Sequence, residues 1–214
     1  MRRLTLLILT FTALGVGCGG VAGNGTPRTE QRALPAFSRV EVGGSFKVDI
    51  RRGEAQQVEL TADENLLPLF EAQVKDDTLT VKPTTQVRPS VGPNLRITLP
   101  RPLTALSLSG SAEAQVADLT GARFDLQISG SAEVQLAGAT DEARLTVSGS
   151  GEIDALGLTA RRVAVNISGS GDAQVNATEA LDVTVSGSGE IRYRGQPQIT
   201  RRVTGSGSVE PLAP

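Results

Sequence analysis

Apolar and polar residues alternate along most of this chain, and glycine breaks the alternation at regular places. Val40, Val42, Phe46, Val48 and Ile50 are apolar, with Glu41, Lys47 and Asp49 between them and Gly43-Gly44 as an interruption. A period of two puts successive side chains on opposite faces, so this stretch predicts two short strands. Val58 and Leu60 mark another. Asp63 is placed to cap a turn through Glu64, Asn65, Leu66 and Leu67, and Pro68 limits any helix there to about one turn. Val74, Leu79 and Val81 predict a hairpin across Asp76-Asp77. Residues 83–93 read as a polar, Pro-marked loop, and Leu95, Ile97 and Leu99 restart a strand.

The second half repeats. Ser-Gly-Ser recurs at Ser109-Gly110-Ser111, Ser129-Gly130-Ser131, Ser148-Gly149-Ser150, Ser168-Gly169-Ser170 and Ser186-Gly187-Ser188, and Thr204-Gly205-Ser206 closes the series. The steps are 20, 19, 20, 18 and 18 residues. Aligned on the first Ser, odd offsets are apolar: Leu106, Leu126, Leu145, Val165 and Val183 three before, Ala114, Val134, Ile153, Ala173 and Ile191 five after. Even offsets are polar. Each coil therefore holds two short strands joined through Ser-Gly-Ser, plus a third side of variable length. Stacked about 4.8 Å apart, the coils turn these positions into continuous aliphatic columns that no coil could bury alone. The prediction is all-β: a right-handed parallel β-helix, or β-solenoid, with coils of about 18–20 residues across 103–210. Ser109, Gly110, Ser129, Gly130, Ser148, Gly149, Ser168, Gly169, Ser186 and Gly187 form its corner ladder, glycine for the bend and the serine hydroxyls for mutual or backbone bonds. Arg201, Arg202 and Pro211 break the columns and read as a polar cap, while 37–99 protects the other end.

The first residues lie outside this pattern. Arg2 and Arg3 precede an apolar run from Leu4 to Leu14, which is shorter than the roughly 20 residues of a membrane span and reads as an export signal over 1–17. Cys18, the only cysteine, follows Gly15-Val16-Gly17 and resembles the lipidated cysteine of bacterial lipoproteins, with Leu14 one place further upstream than the usual pattern. That resemblance implies acylation at Cys18, palmitate among the chains, and anchoring in the cell envelope, with the outer membrane favoured because Gly19 and Gly20 rather than an acid follow. Residues 18–36 show no period and predict a flexible lipidated tether, so that a single domain spans 37–214.

Composition narrows the chemistry. The chain has no His and no Trp, which excludes Ser-His-Asp triads and His-ligated zinc, and one Cys cannot form an internal disulfide. Without Arg2 and Arg3 the charge is −4, with 3% aromatics over the whole chain, so nucleic acid is not an expected partner. The sharpest constellation is the acid four places after each first Ser: Glu113, Glu133, Glu152, Asp172 and Glu190. Unit charges about 4.8 Å apart repel by about 0.9 kcal/mol even in water, so such a row either holds protons, recruits cations such as calcium, or keeps an outward face soluble. The spacing gives a row rather than a cage, which favours the last. No metal or other cofactor is expected. Carboxylates about 5–9 Å apart also satisfy glycoside hydrolysis by distance, but a regular ladder meets that distance everywhere. The basic residues Arg123, Arg144, Arg162 and Arg192 scatter, and Asp125 and Arg144 share an offset that pairs them across the surface. An enzyme is not expected.

Several segments together carry a family resemblance: Val42-Gly43-Gly44-Ser45-Phe46-Lys47-Val48-Asp49-Ile50, Ala62-Asp63-Glu64-Asn65-Leu66-Leu67-Pro68, Val74-Lys75-Asp76-Asp77-Thr78-Leu79, Ile97-Thr98-Leu99-Pro100 and the Ser-Gly-Ser coils. They resemble the head GIN domain of putative auto-transporter adhesins over about 37–210. The resemblance implies a parallel β-helix-like fold in an envelope protein, often a lipoprotein, and brings no catalytic residues. The expected function is a lipid-anchored module presenting a polar surface to a protein or glycan for adhesion. The alternative is a periplasmic accessory in envelope sensing or assembly.

Overall fold

The computed structural model describes residues 20–212. The strands are β1 (Val21–Ala22), β2 (Pro27–Gln31), β3 (Arg39–Gly43), β4 (Lys47–Arg52), β5 (Gln57–Asp63), β6 (Phe70–Lys75), β7 (Thr78–Pro83), β8 (Val87–Arg88) and β9 (Asn94–Leu99). They continue with β10 (Ala105–Gly110), β11 (Glu113–Leu119), β12 (Arg123–Gly130), β13 (Glu133–Gly149), β14 (Glu152–Gly169), β15 (Asp172–Gly187), β16 (Glu190–Arg194), β17 (Gln198–Gly205) and β18 (Ser208–Pro211). Among the described residues a single 3-10 turn, Leu67–Leu69, interrupts them.

The coils stack as a β-solenoid with two long walls. The first runs β7-β3-β10-β12-β13-β14-β15-β17, all parallel, with β6 antiparallel beyond β7. The second runs β9-β4-β11-β13-β14-β15-β16-β18, also parallel, with β5 and then β2 added antiparallel beyond β9. The long strands β13, β14 and β15 pass along the second wall, bend, and enter the first wall of the next coil. The bend is the short third side, where Ala137, Gly138, Ala139 and Thr140 pair with Gly157, Leu158, Thr159 and Ala160.

The odd offsets point inward. Leu106, Leu126, Leu145, Val165 and Val183 are buried in register on one wall, and Ala114, Val134, Ile153, Ala173 and Ile191 on the other. A further column escaped the sequence reading: Phe124, Ala143, Val163 and Leu181, five places before each first Ser, are also buried. Its side chains vary too much in size to advertise a repeat, but the register aligns them.

Residues 39–52 also form a coil of the same solenoid. Gly43 pairs with Ser109 and Lys47 with Glu113, so Gly43-Gly44-Ser45 is a corner of the ladder. Residues 53–104 are inserted between this coil and the next, and most of them build the end cap. There Phe37, Phe46, Leu66, Leu67 and Phe70 are buried, with Phe46 and Phe70 meeting edge to face at 5.3 Å between centroids. At Asp76-Asp77 both residues take positive φ, 49° and 63°, as a tight hairpin requires.

Two expectations are corrected here. The segment read as a flexible tether is docked: β1 pairs with β8, and β2 pairs antiparallel with β5. Asp63 does not cap the following turn through its side chain. That turn is closed by its backbone carbonyl, which accepts from Leu66 N–H at 2.9 Å. The Asp63 carboxylate is fully buried and accepts N–H bonds from Gly25 at 2.6 Å, Ser90 at 2.9 Å and Val91 at 3.0 Å. It pins the docked segment to the 83–93 loop. Buried carboxylates are stable only with such partners. The proposed signal at 1–17 and Cys18 lie outside the described residues.

Candidate functional site

The outward residues of the second wall form two rows. Register places Lys47, Glu113, Glu133, Glu152, Asp172, Glu190 and Ser208 along one. Asp49, Gln115, Gln135, Asp154, Gln174, Arg192 and Glu210 form the other. The structure thus brings all five sequence-predicted acids together. It also supplies two cations that the offset alignment did not connect to them. Lys47 Nζ lies 3.2 Å from Glu113, and Arg192 Nε donates to Glu190 at 2.7 Å. Lys47 was hidden because its coil is separated from the others by the insertion. Asp172 accepts from the Glu190 backbone N–H at 2.7 Å. Glu133 and Glu152 remain as the unpaired centre among the described residues. Arg192 is held above the ordinary arginine range first by its hydrogen bond to Glu190 and then by that carboxylate's charge. A shallow depression of about 110 Å³ opens over Ile153 and Ala173, rimmed by Glu152, Asp172, Gln174, Glu190 and Arg192.

Side chains on parallel neighbouring strands leave the sheet side by side, so these carboxylates stand in file. Among the described residues no group of three or more acids converges as a metal site. Besides acids and amides, the two rows hold the bracketing cations Lys47 and Arg192 and, on the last coil, Ser208 in register with Glu190.

The first wall carries different chemistry. Arg39, Ala105, Asp125, Arg144, Ala164, Asp182 and Thr200 stand in one outward row, and Glu41, Ser107, Gln127, Thr146, Asn166, Thr184 and Arg202 in the next. The small Ala105 leaves a groove of about 390 Å³ walled by Arg39, Arg123, Asp125 and Arg144. Arg123 grips Asp125 through Nε at 2.9 Å and a second N–H at 2.9 Å, and Arg144 approaches the same carboxylate at 3.8 Å. The Asp125 and Arg144 pairing expected from their shared offset is present. Glu142 accepts from Arg162 Nε at 3.0 Å, and this bond and the arginine's charge hold its carboxyl below the ordinary glutamate range. These pairs are solvent-exposed and mutually neutralising, so they organise the surface more than they stabilise the fold.

The Ser-Gly-Ser corners stand between the two walls. Gly149 has φ +127°, and its four counterparts among the predicted corners lie between +110° and +134°. The corner rungs are backbone bonds: Ser131 N–H donates to Gly110 O and Ser150 N–H to Gly130 O, both at 2.9 Å. Among the described residues the expected hydroxyl ladder, serine to serine or serine to corner backbone, does not run along the corners. Among the described residues the one hydroxyl bond at these serines is a long 3.5 Å donation from Ser109 to Val42 O. The hydroxyls point to solvent, because the backbone already satisfies the corner.

Solved structures share this fold. A crystal structure described as a putative adhesin from Bacteroides fragilis is 24% identical, with a TM-score of 0.73, covering 90% of this chain and 100% of that one. A putative adhesin from Parabacteroides distasonis is 24% identical with a TM-score of 0.60, covering 91% and 100%. A protein from the same species described as a putative lipid binding protein is 25% identical with a TM-score of 0.53, again covering 91% and 100%. No curated protein matches the sequence. The model of the family described as "Putative auto-transporter adhesin, head GIN domain" matches residues 36–197, which hold most of the end cap and both walls except their last strands β17 and β18, and the chain belongs to that family.

Proposed function

We propose that this protein is a non-catalytic envelope module that adheres by surface contact, with the acidic second wall as its contact face. The observation that carries this reading is the file of Glu113, Glu133, Glu152, Asp172 and Glu190 flanked by Gln115, Gln135 and Gln174. It is a long, flat surface of acceptors and amides with no convergent reaction centre. Such a face suits a cationic protein surface or an amine-bearing glycan, bound by many weak, salt-sensitive contacts. Calcium is not required in this reading, since Lys47 and Arg192 neutralise the ends of the row.

The anchor is Cys18. The docking of the supposed tether supports a specific geometry: the described chain is held from Val21 onward, where its N–H donates to Gln86 O at 2.9 Å. Cys18 is two residues from Gly20, a reach of at most about 7 Å. The end cap then sits against the membrane, and the last coils project away from it.

The test compares the intact lipoprotein with an E133Q/E152Q/D172N variant and an R144A/R162A variant on immobilised basic proteins, acidic proteins and glycans. Binding to a basic protein or an amine-bearing glycan that weakens with salt, is lost in the acid variant and persists in the arginine variant supports the reading. Equal binding by the acid variant refutes it. Protease shaving of intact cells separates a surface adhesin from a periplasmic accessory.

A further inference from the structure

The two ends of the solenoid differ. One is closed by β6, the antiparallel β5 and β2, and buried Leu66, Leu67 and Phe70. The other ends at β17 and β18, each of which pairs with one neighbour only. The expected cap residues Arg201, Arg202 and Pro211 lie on this last coil itself, and among the described residues no further element covers it. β17 is exposed along its whole length. Register sets Ile199 after Leu181, Arg201 after Val183 and Val203 after Val185, so all three stand in the inward columns. Ile199 and Val203 are 37% and 38% exposed, two of the three large apolar residues that reach the surface among those described.

The free edge of β17 offers unpaired backbone donors and acceptors, which is a template for another strand. Its side chains state what strand fits. The inward file reads apolar, cationic, apolar. Arg201, the outward Arg202 and Arg194 at the end of β16 make no ion pair among the described residues. The nearest acids in register are Asp182, behind Thr200, and Glu210, beside Arg192. A second copy of this end is a poor occupant, because edge pairing would set Arg201 and Arg202 against themselves. The chain's own wall strands fit no better, since their inward positions are apolar.

We propose that the open end accepts an extended acidic polypeptide segment as an added strand on β17. An Asp or Glu of that segment pairs with Arg201, and β-branched residues two places either side cover Ile199 and Val203. The probe is the labelled heptapeptide Thr-Val-Thr-Asp-Thr-Val-Thr, which places its side chains alike in parallel and antiparallel register. The control is the same peptide with a central Lys.

Fluorescence anisotropy with the mature chain reads the preference. The unaltered protein favours the Asp peptide by about tenfold or more, the scale of one charge-assisted contact. An Arg201→Glu variant reverses the preference toward the Lys peptide, and that reversal requires a folded protein. Three binding results overturn the proposal. They are no preference between the peptides, a preference unchanged by Arg201→Glu, or an end that instead binds phosphatidylglycerol vesicles through Arg201 and Arg202 without taking either peptide. Sedimentation equilibrium showing a dimer that the Asp peptide does not dissociate also overturns it.

Discussion

Replacing Gly149 with alanine tests the corner directly. The residue has φ +127°, a region that belongs almost solely to glycine. A Cβ there would lie well inside 3.0 Å of Gly130 O, 3.2 Å from Gly130 C and 3.3 Å from Gly130 Cα. The obstacle is backbone on the neighbouring coil, so no side chain can swing aside. Relief requires separating two coils where Ser150 N–H donates to Gly130 O at 2.9 Å. Backbone strain of this kind costs about 1–3 kcal/mol and overpacking about another 1–3. Gly149→Ala should therefore lose roughly 2–6 kcal/mol, a large share of the roughly 5–15 that holds a domain. At about 2–4 °C per kcal/mol for a chain of this size, a mid-range loss of ~4 kcal/mol lowers Tm by about 8–16 °C. Urea unfolding followed by far-UV circular dichroism measures it. Gly92→Ala is the control, because that site has an ordinary φ and open space around it, and it should stay within about 0.5 kcal/mol. If both variants melt alike, the steric account of the Ser-Gly-Ser repeat is wrong.

Other perturbations separate the remaining parts of the structure. Leu145→Ala opens a cavity between Leu126 and Val165 in the middle of a column and should cost about 2–5 kcal/mol in the same urea assay. The Asp63 carboxyl is held below its ordinary value of 3.8, first by the Val91 N–H bond and, against the effect of burial, by those from Gly25 and Ser90. Its stabilisation is thus complete above about pH 4 and lost as pH falls through the lower folded value. Hydrogen-exchange protection factors at the Gly25, Ser90 and Val91 amides should fall together under acid, and Asp63→Asn should lower the same three at neutral pH. Cys18→Ser should move the protein from the membrane to the soluble fraction, and its mature mass should lack acyl chains; unchanged membrane association would refute anchoring at that residue.

Much of this fold was legible because its repeat is local. Offsets from each first Ser sort inward from outward residues, and coils stack with their neighbours in sequence. Legibility failed where partners are distant. Gly43-Gly44-Ser45 belongs to the ladder, but residues 53–104 separate it from the coil it pairs with, and its corner has glycine where the repeat has serine. The docked segment before Phe37 has no period because backbone pairing to β5 and β8, and the Asp63 carboxylate, hold it in place of an apolar stripe. For the acidic row the same limit applied: five of its members follow from the offset, whereas Lys47 joins only through pairing across the insertion.

The sequence by itself determined the strand period, the glycine corners and the side of each strand that faces the core. These are consequences of backbone geometry acting over a few residues. Tertiary structure decided how each end of the stack is treated. One end is sealed by an insertion folded back as antiparallel strands and a buried carboxylate latch, while the other leaves Ile199, Arg201 and Val203 at an open edge. End treatment depends on which strand has a neighbour, and that is a relation between distant segments that no local pattern carries.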